Sequence, residues 1–156
     1  MNLKKAGTVG MLVAVLASVA APQASAHSSS GSTNYPGGDR LEANVWIQSF
    51  SWSGCGDWKT SAKLIGNNPG KATWIKNRAS FSATGLNASI SGSGGGASTS
   101  TGGAQFGREW TNNNNWISDL SGNVCGNGLT LYIGATSEAV ANVPQYGSPR
   151  SAIATV

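Results

Sequence analysis

The chain has 156 residues, only 10% of them charged, with 22 glycines and a formal net charge of +4. That length supports one domain with a modest core. No basic run follows Lys4-Lys5, which argues against a nucleic-acid partner.

The first segment reads as a secretory signal peptide. Lys4 and Lys5 give a positive start, Ala6 to Ala21 is apolar and uncharged, and Ala24-Ser25-Ala26 supplies the small-x-small cleavage pattern. Cleavage is expected between Ala26 and His27, which places the product outside the cell. A retained anchor is the alternative, but the apolar run is shorter than the ~20 residues that a spanning helix needs. No membrane span is therefore expected. Removing the leader lowers the net charge to about +2, a mildly basic surface.

Residues 27–40 are rich in serine and glycine and have little to bury, so a flexible N-terminal arm is expected. Two readings stay open for it: a disordered terminus, or a strap that orders on a partner with Tyr35-Pro36 as its anchor. The folded domain then covers residues 41–156.

Val45 to Trp58 carries three of the six tryptophans and one of two cysteines. Trp46, Trp52 and Trp58 recur every six residues, which on an uninterrupted strand puts them on one face. In Leu41 to Trp52 the bulkier set (Trp46, Gln48, Phe50, Trp52) is expected to face inward. Gly54 and Gly56 flank Cys55 and predict a bend. Cys55 and Cys125 form an even pair in an exported chain and predict one disulfide. It closes a long loop, for which the chain-entropy model allows roughly 4 kcal/mol. Free or metal-binding thiols are the alternative, but no further ligand sits at suitable spacing.

Further along, Lys59 to Ile65 fits a strand or a helical turn, and Asn67 to Gly70 is a turn signal. Strands are predicted over Thr73 to Ser82, Leu86 to Ile90, Ile117 to Val124 and Leu129 to Ala135, with edge strands at Val140 to Val143 and Ser151 to Val156. Ser91 to Gly103 reads as a hairpin loop, part of which can continue a sheet. The asparagine run 112–115, between Trp110 and Trp116, suits a turn with left-handed backbone. Short strands without a long 3.6-residue period predict an all-β domain, with a β-sandwich favoured over a closed barrel.

The residues refuse most catalytic schemes. His27 is the only histidine, so neither a two-histidine copper site nor a Ser-His-Asp triad can be assembled. Bridged cysteines offer no nucleophile. Asp57 beside Trp58 and Glu109 beside Trp110 are the carboxylates to weigh for glycoside hydrolysis. Lys59 and Arg108 nearby make surface ion pairs the simpler account. No catalytic residue, metal or cofactor is expected. Tyr35, Pro36, Trp46, Trp52, Trp58, Trp110 and Trp116 are the candidate partner-binding residues, since any exposed tryptophan would serve as a sugar platform or a protein hot spot.

The Lys4-Lys5 leader with Ala24-Ser25-Ala26, the polar segment 27–40, the Ser/Gly-rich body and the long-range cysteine pair resemble the small exported β-proteins of Streptomyces-type actinobacteria. Within that group the chain is similar in outline to the adaptor subunit of umbrella toxin particles. The resemblance implies a secreted, non-enzymatic β-domain that joins a toxin subunit to a lectin subunit through its N-terminal strap. The expected function is thus that of an interaction adaptor in an antibacterial assembly. A polysaccharide-binding module, a free-standing antibacterial protein and a hydrolase inhibitor are the alternatives.

Overall fold

The computed structural model describes residues 26–48, 54–85, 87–92, 98–101, 105–126 and 130–156. The proposed leader before Ala26, and Trp52, lie outside the described residues. Among the described residues, ten strands are formed: β1 (Ala26–Asn34), β2 (Arg40–Gln48), β3 (Gly54–Ile65), β4 (Ala72–Gly85), β5 (Asn87–Gly92), β6 (Ser98–Thr101), β7 (Gln105–Asn115), β8 (Ile117–Gly126), β9 (Thr130–Asn142) and β10 (Arg150–Thr155). All pairings are antiparallel. One sheet runs β1-β2-β3-β8-β5-β6 and the other β10-β9-β4-β7. The fold is the expected all-β sandwich.

Alternation explains which face is buried. In β2, Leu41, Ala43, Val45 and Ile47 point into the core, while Glu42, Asn44, Trp46 and Gln48 point out. The expected parity of this strand is therefore inverted. Four consecutive inward aliphatic positions, the larger ones stabilising by about 1.5–3 kcal/mol each, outweigh burying one indole beside two amides and a carboxylate. Trp46 and Trp58 also do not share a face. The chain leaves β2 after Gln48, and Trp58 lies on β3, fully buried against Phe81 in an edge-to-face contact at 4.9 Å.

Among the described residues, a polar bridge crosses the interior. Asn77 of β4 donates to the Thr60 hydroxyl of β3 at 3.0 Å and accepts from the Ser137 hydroxyl of β9 at 3.2 Å. All three are buried, so the bridge ties the two sheets together.

The segment read as an arm is folded. β1 pairs along its whole length with β2, from Ala26 opposite Gln48 to Asn34 opposite Arg40. Its side chains need no core, because ladder hydrogen bonds hold an edge strand through its backbone. β1 also lies against β10. The Thr33 hydroxyl donates to the Ser151 carbonyl at 2.5 Å, and a Cβ on Gly31 would overlap the Ile153 carbonyl oxygen. Tyr35 then enters the core instead of remaining free for a partner.

Of the two readings of Lys59 to Ile65, the strand is the one formed, as part of β3. Two further corrections concern extent. Val140 to Val143 is not a separate edge strand, since β9 runs unbroken from Thr130 to Asn142. The asparagine run 112–115 is not a turn but the end of β7, although Asn114 within it takes the left-handed conformation (φ 50°). β6 lies within the predicted glycine-rich hairpin loop.

The disulfide forms between Cys55 and Cys125, directly opposed on β3 and β8 with Cα atoms 4.0 Å apart. Cys55 lies on the outer face, one residue out of phase with the inward Gly56 and Trp58. The bridge is therefore not packed into the tryptophan core.

Candidate functional site

The outer face of the six-stranded sheet holds a groove of about 390 Å³ over β1, β2, β3 and β8. Register sets its contents. Ser28, Trp46, Lys59 and Ser121 form one cross-strand row, and Ser30, Asn44, Ser61 and Asp119 form the next. Lys63 completes the charged rim.

The second row is already organised. The Ser30 hydroxyl donates to Asn44 Oδ1 at 2.6 Å, and Asn44 Nδ2 reaches Glu42 Oε1 at 3.0 Å and Ser61 Oγ at 3.3 Å. Trp46 is half-buried at the groove wall, with the Lys59 ammonium 6.0 Å from its ring centroid, the outer limit of a cation–π contact. Desolvation by its surroundings pushes the Asp119 carboxyl above the usual aspartate value, and the Lys63 charge only partly offsets this.

A second feature is the β7–β8 connection, which passes from one sheet to the other. Trp110 in the middle of β7 is 46% exposed, and Trp116 between the two strands is 48% exposed. Hydrogen bonds hold the Trp110 indole and the backbone of both residues. Trp110 Nε1 donates to Asn112 Oδ1 at 2.8 Å, and Asn112 Nδ2 donates to the Ile117 carbonyl at 2.8 Å. The Ser118 hydroxyl donates to the Trp110 carbonyl at 3.0 Å, and Leu64 N–H donates to the Trp116 carbonyl at 2.9 Å.

The remaining predicted site residues are dispersed. Tyr35 stacks on Tyr146 at 4.6 Å, and the Tyr146 hydroxyl donates to the buried Asp39 carboxylate at 2.5 Å. Pro36 is exposed and opens a one-turn 3-10 helix (Pro36–Gly38). Trp58 is in the core. Trp58, Trp46 and the Trp110/Trp116 pair thus fall in the core, the groove and the β7–β8 connection, and do not form one platform.

Asp57 and Glu109 lie on different sheets and cannot act as a pair. Asp57 accepts from Asn123, not from Lys59. Glu109 accepts from Lys76 and Arg78, each at 2.8 Å, and Arg78 also donates to Glu138 at 2.8 Å. Among the described residues, no group of three or more histidine, cysteine or acidic side chains could hold a metal ion. Among them also, no helix is long and apolar enough to cross a membrane.

Sequence reasoning missed Asn44, Lys59, Lys63, Ser61 and Asp119 as a set. Only the β3–β8 pairing brings Asp119 beside Ser61. In comparisons with known proteins, no family model, curated protein or solved structure matches the chain.

Proposed function

We propose that this chain is an exported, non-catalytic interaction protein that acts as an adaptor in an extracellular antibacterial toxin assembly. One observation carries the reading: two large aromatic side chains, Trp110 and Trp116, stand exposed on a β7–β8 connection whose backbone hydrogen bonds have already ordered. Rigid exposed tryptophans lose little conformational entropy on docking and are the side chains most enriched at energetic centres of protein interfaces. The Cys55–Cys125 bridge suits an oxidising, extracellular setting. The resemblance to umbrella adaptors supplies the kind of assembly, with toxin and lectin subunits as the partners.

The docking element in this proposal differs from the strap that the sequence suggests. β1 is engaged by β2 and β10, so residues 27–34 are committed to the domain's own fold. The β7–β8 connection takes over the role.

The test is capture of the tagged chain from culture medium of its producer, with bound proteins identified by mass spectrometry. A Trp110→Ala/Trp116→Ala double variant serves as comparator. Stoichiometric secreted partners that the double variant loses are expected. Recovery of the chain alone, or of the same partners with both forms, overturns the proposal.

A further inference from the structure

We infer that the groove over β1, β2, β3 and β8 is a saccharide site, in which Trp46 stacks against a sugar ring and Asn44, Ser30, Ser61 and Asp119 engage its hydroxyls. The site is separate from Trp110 and Trp116 and does not depend on the adaptor reading.

Three observations lead there. First, the groove lies on a sheet face. The backbone groups of β2, β3 and β8 are used in ladders on both sides, so a peptide strand cannot be added to them. Recognition must come from side chains. Second, those side chains are one half-buried aromatic face beside a run of hydroxyl, amide and carboxylate groups. A protein interface core needs a wider apolar patch, because Val45 and Leu120 beneath the groove point into the sandwich. A sugar ring matches this groove in kind, with an apolar face of C–H groups for the indole and an equatorial fringe of hydroxyls for the polar row. Third, the charges nearly cancel. Lys59 and Lys63 face Asp119 within the groove, with Glu42 beside Lys63 across the β2–β3 register. That balance disfavours strongly anionic polymers and leaves a neutral glycan as the fit.

The volume of about 390 Å³ falls in the range of small-molecule sites. Four strands at ~4.8 Å spacing give a floor long enough for an oligosaccharide. The Asn44-centred hydrogen bonds fix the polar row before ligand arrives, which lowers the entropic cost of binding. Asp119 gains from the same contact. Its carboxylate stands exposed at the groove and accepts readily from a ligand hydroxyl.

The purified full-length secreted chain is titrated with neutral tetrasaccharides of glucose, xylose, mannose and N-acetylglucosamine, followed by tryptophan fluorescence and backbone amide NMR. At least one is expected to shift amides of β2, β3 and β8. Trp46→Ala should then weaken binding at least about tenfold, with Trp46→Phe retaining most of it and Trp110→Ala/Trp116→Ala unchanged. Should Trp46→Ala fail to fold, Asn44→Ala, which removes only the outward amide, is expected to weaken binding with a native spectrum. The inference is overturned if none of the four sugars binds, if binding is undiminished in folded Trp46→Ala or Asn44→Ala, or if the shifts map to the β7–β8 connection.

Discussion

Asn77 reaches across the sandwich to Thr60, amide to hydroxyl at 3.0 Å, from a position with no solvent access. The same amide accepts from Ser137, so one side chain satisfies two hydroxyls on two other strands. Replacing it by alanine would leave Thr60 and Ser137 without these bonds and open a void. We expect Asn77→Ala to cost about 2–4 kcal/mol. Urea unfolding of the oxidised protein measures it, and a loss below about 0.5 kcal/mol would show that the bridge is energetically idle.

Gly31 is fixed by contact. The Ile153 carbonyl lies where a Cβ would stand, so β1 can approach β10 only with glycine there. Gly31→Ala should push the two edge strands apart, costing about 1–3 kcal/mol. Amide exchange should rise along β1 and β10 before the rest of the domain. Unchanged exchange in β1 would mean that the N-terminal strand is not anchored through this contact.

How much of this was legible follows from what each feature depends on. The alternation of Leu41 to Gln48 announces a strand, and the cysteine pair announces its bridge, because both signals are local or a matter of counting. The buried face of β2 was misread by weighing bulk. Trp46 is the largest side chain there, yet the aliphatic set at Leu41, Ala43, Val45 and Ile47 decides the face. Residues 26–34 look unfoldable because their side chains have little to bury. They fold because β2 offers them a ladder, a property of the partner strand. The groove was invisible for a similar reason. Its second row needs Ser30, Asn44, Ser61 and Asp119 side by side, which follows from strand order and not from any spacing in the chain.

The disulfide sits on the outer face, between two adjacent strands already paired. Its removal should leave the native packing intact while widening the unfolded ensemble. Cys55→Ser/Cys125→Ser is expected to lower stability by up to about 4 kcal/mol through the long loop it closes. The amide spectrum at low temperature should remain native away from the bridge. Global loss of that spectrum under strongly stabilising solvent would show instead that the bridge dictates the pairing of β3 with β8.

Acid should unfold the domain partly through Glu109. Hydrogen bonds from Lys76, then Arg78, hold its carboxyl below the usual glutamate value. A depressed carboxyl contributes stability above its unfolded pKa, and that contribution is lost as pH falls through the lower folded value. The pairs are largely solvent-exposed, so the effect is modest and screened by salt. Glu109→Gln should flatten the stability–pH curve across the carboxylate range, most visibly at low ionic strength. An unchanged curve would mean that Lys76 and Arg78 do not discriminate between its charged and neutral forms.

Asp119 should behave in the opposite sense. Desolvation raises its carboxyl, so charging it disfavours the folded state. The penalty grows as pH rises from the unfolded value through the higher folded one, and it is complete above that. Asp119→Asn removes the charge and should therefore stabilise the domain at neutral pH, with the gain vanishing in acid. If the groove binds a sugar through this carboxylate, the same variant should bind more weakly while folding more firmly. Stability and affinity moving in opposite directions is the signature of a group kept for recognition at a cost to the fold. A variant less stable at neutral pH would instead give Asp119 a structural role that its neighbours in the groove do not explain.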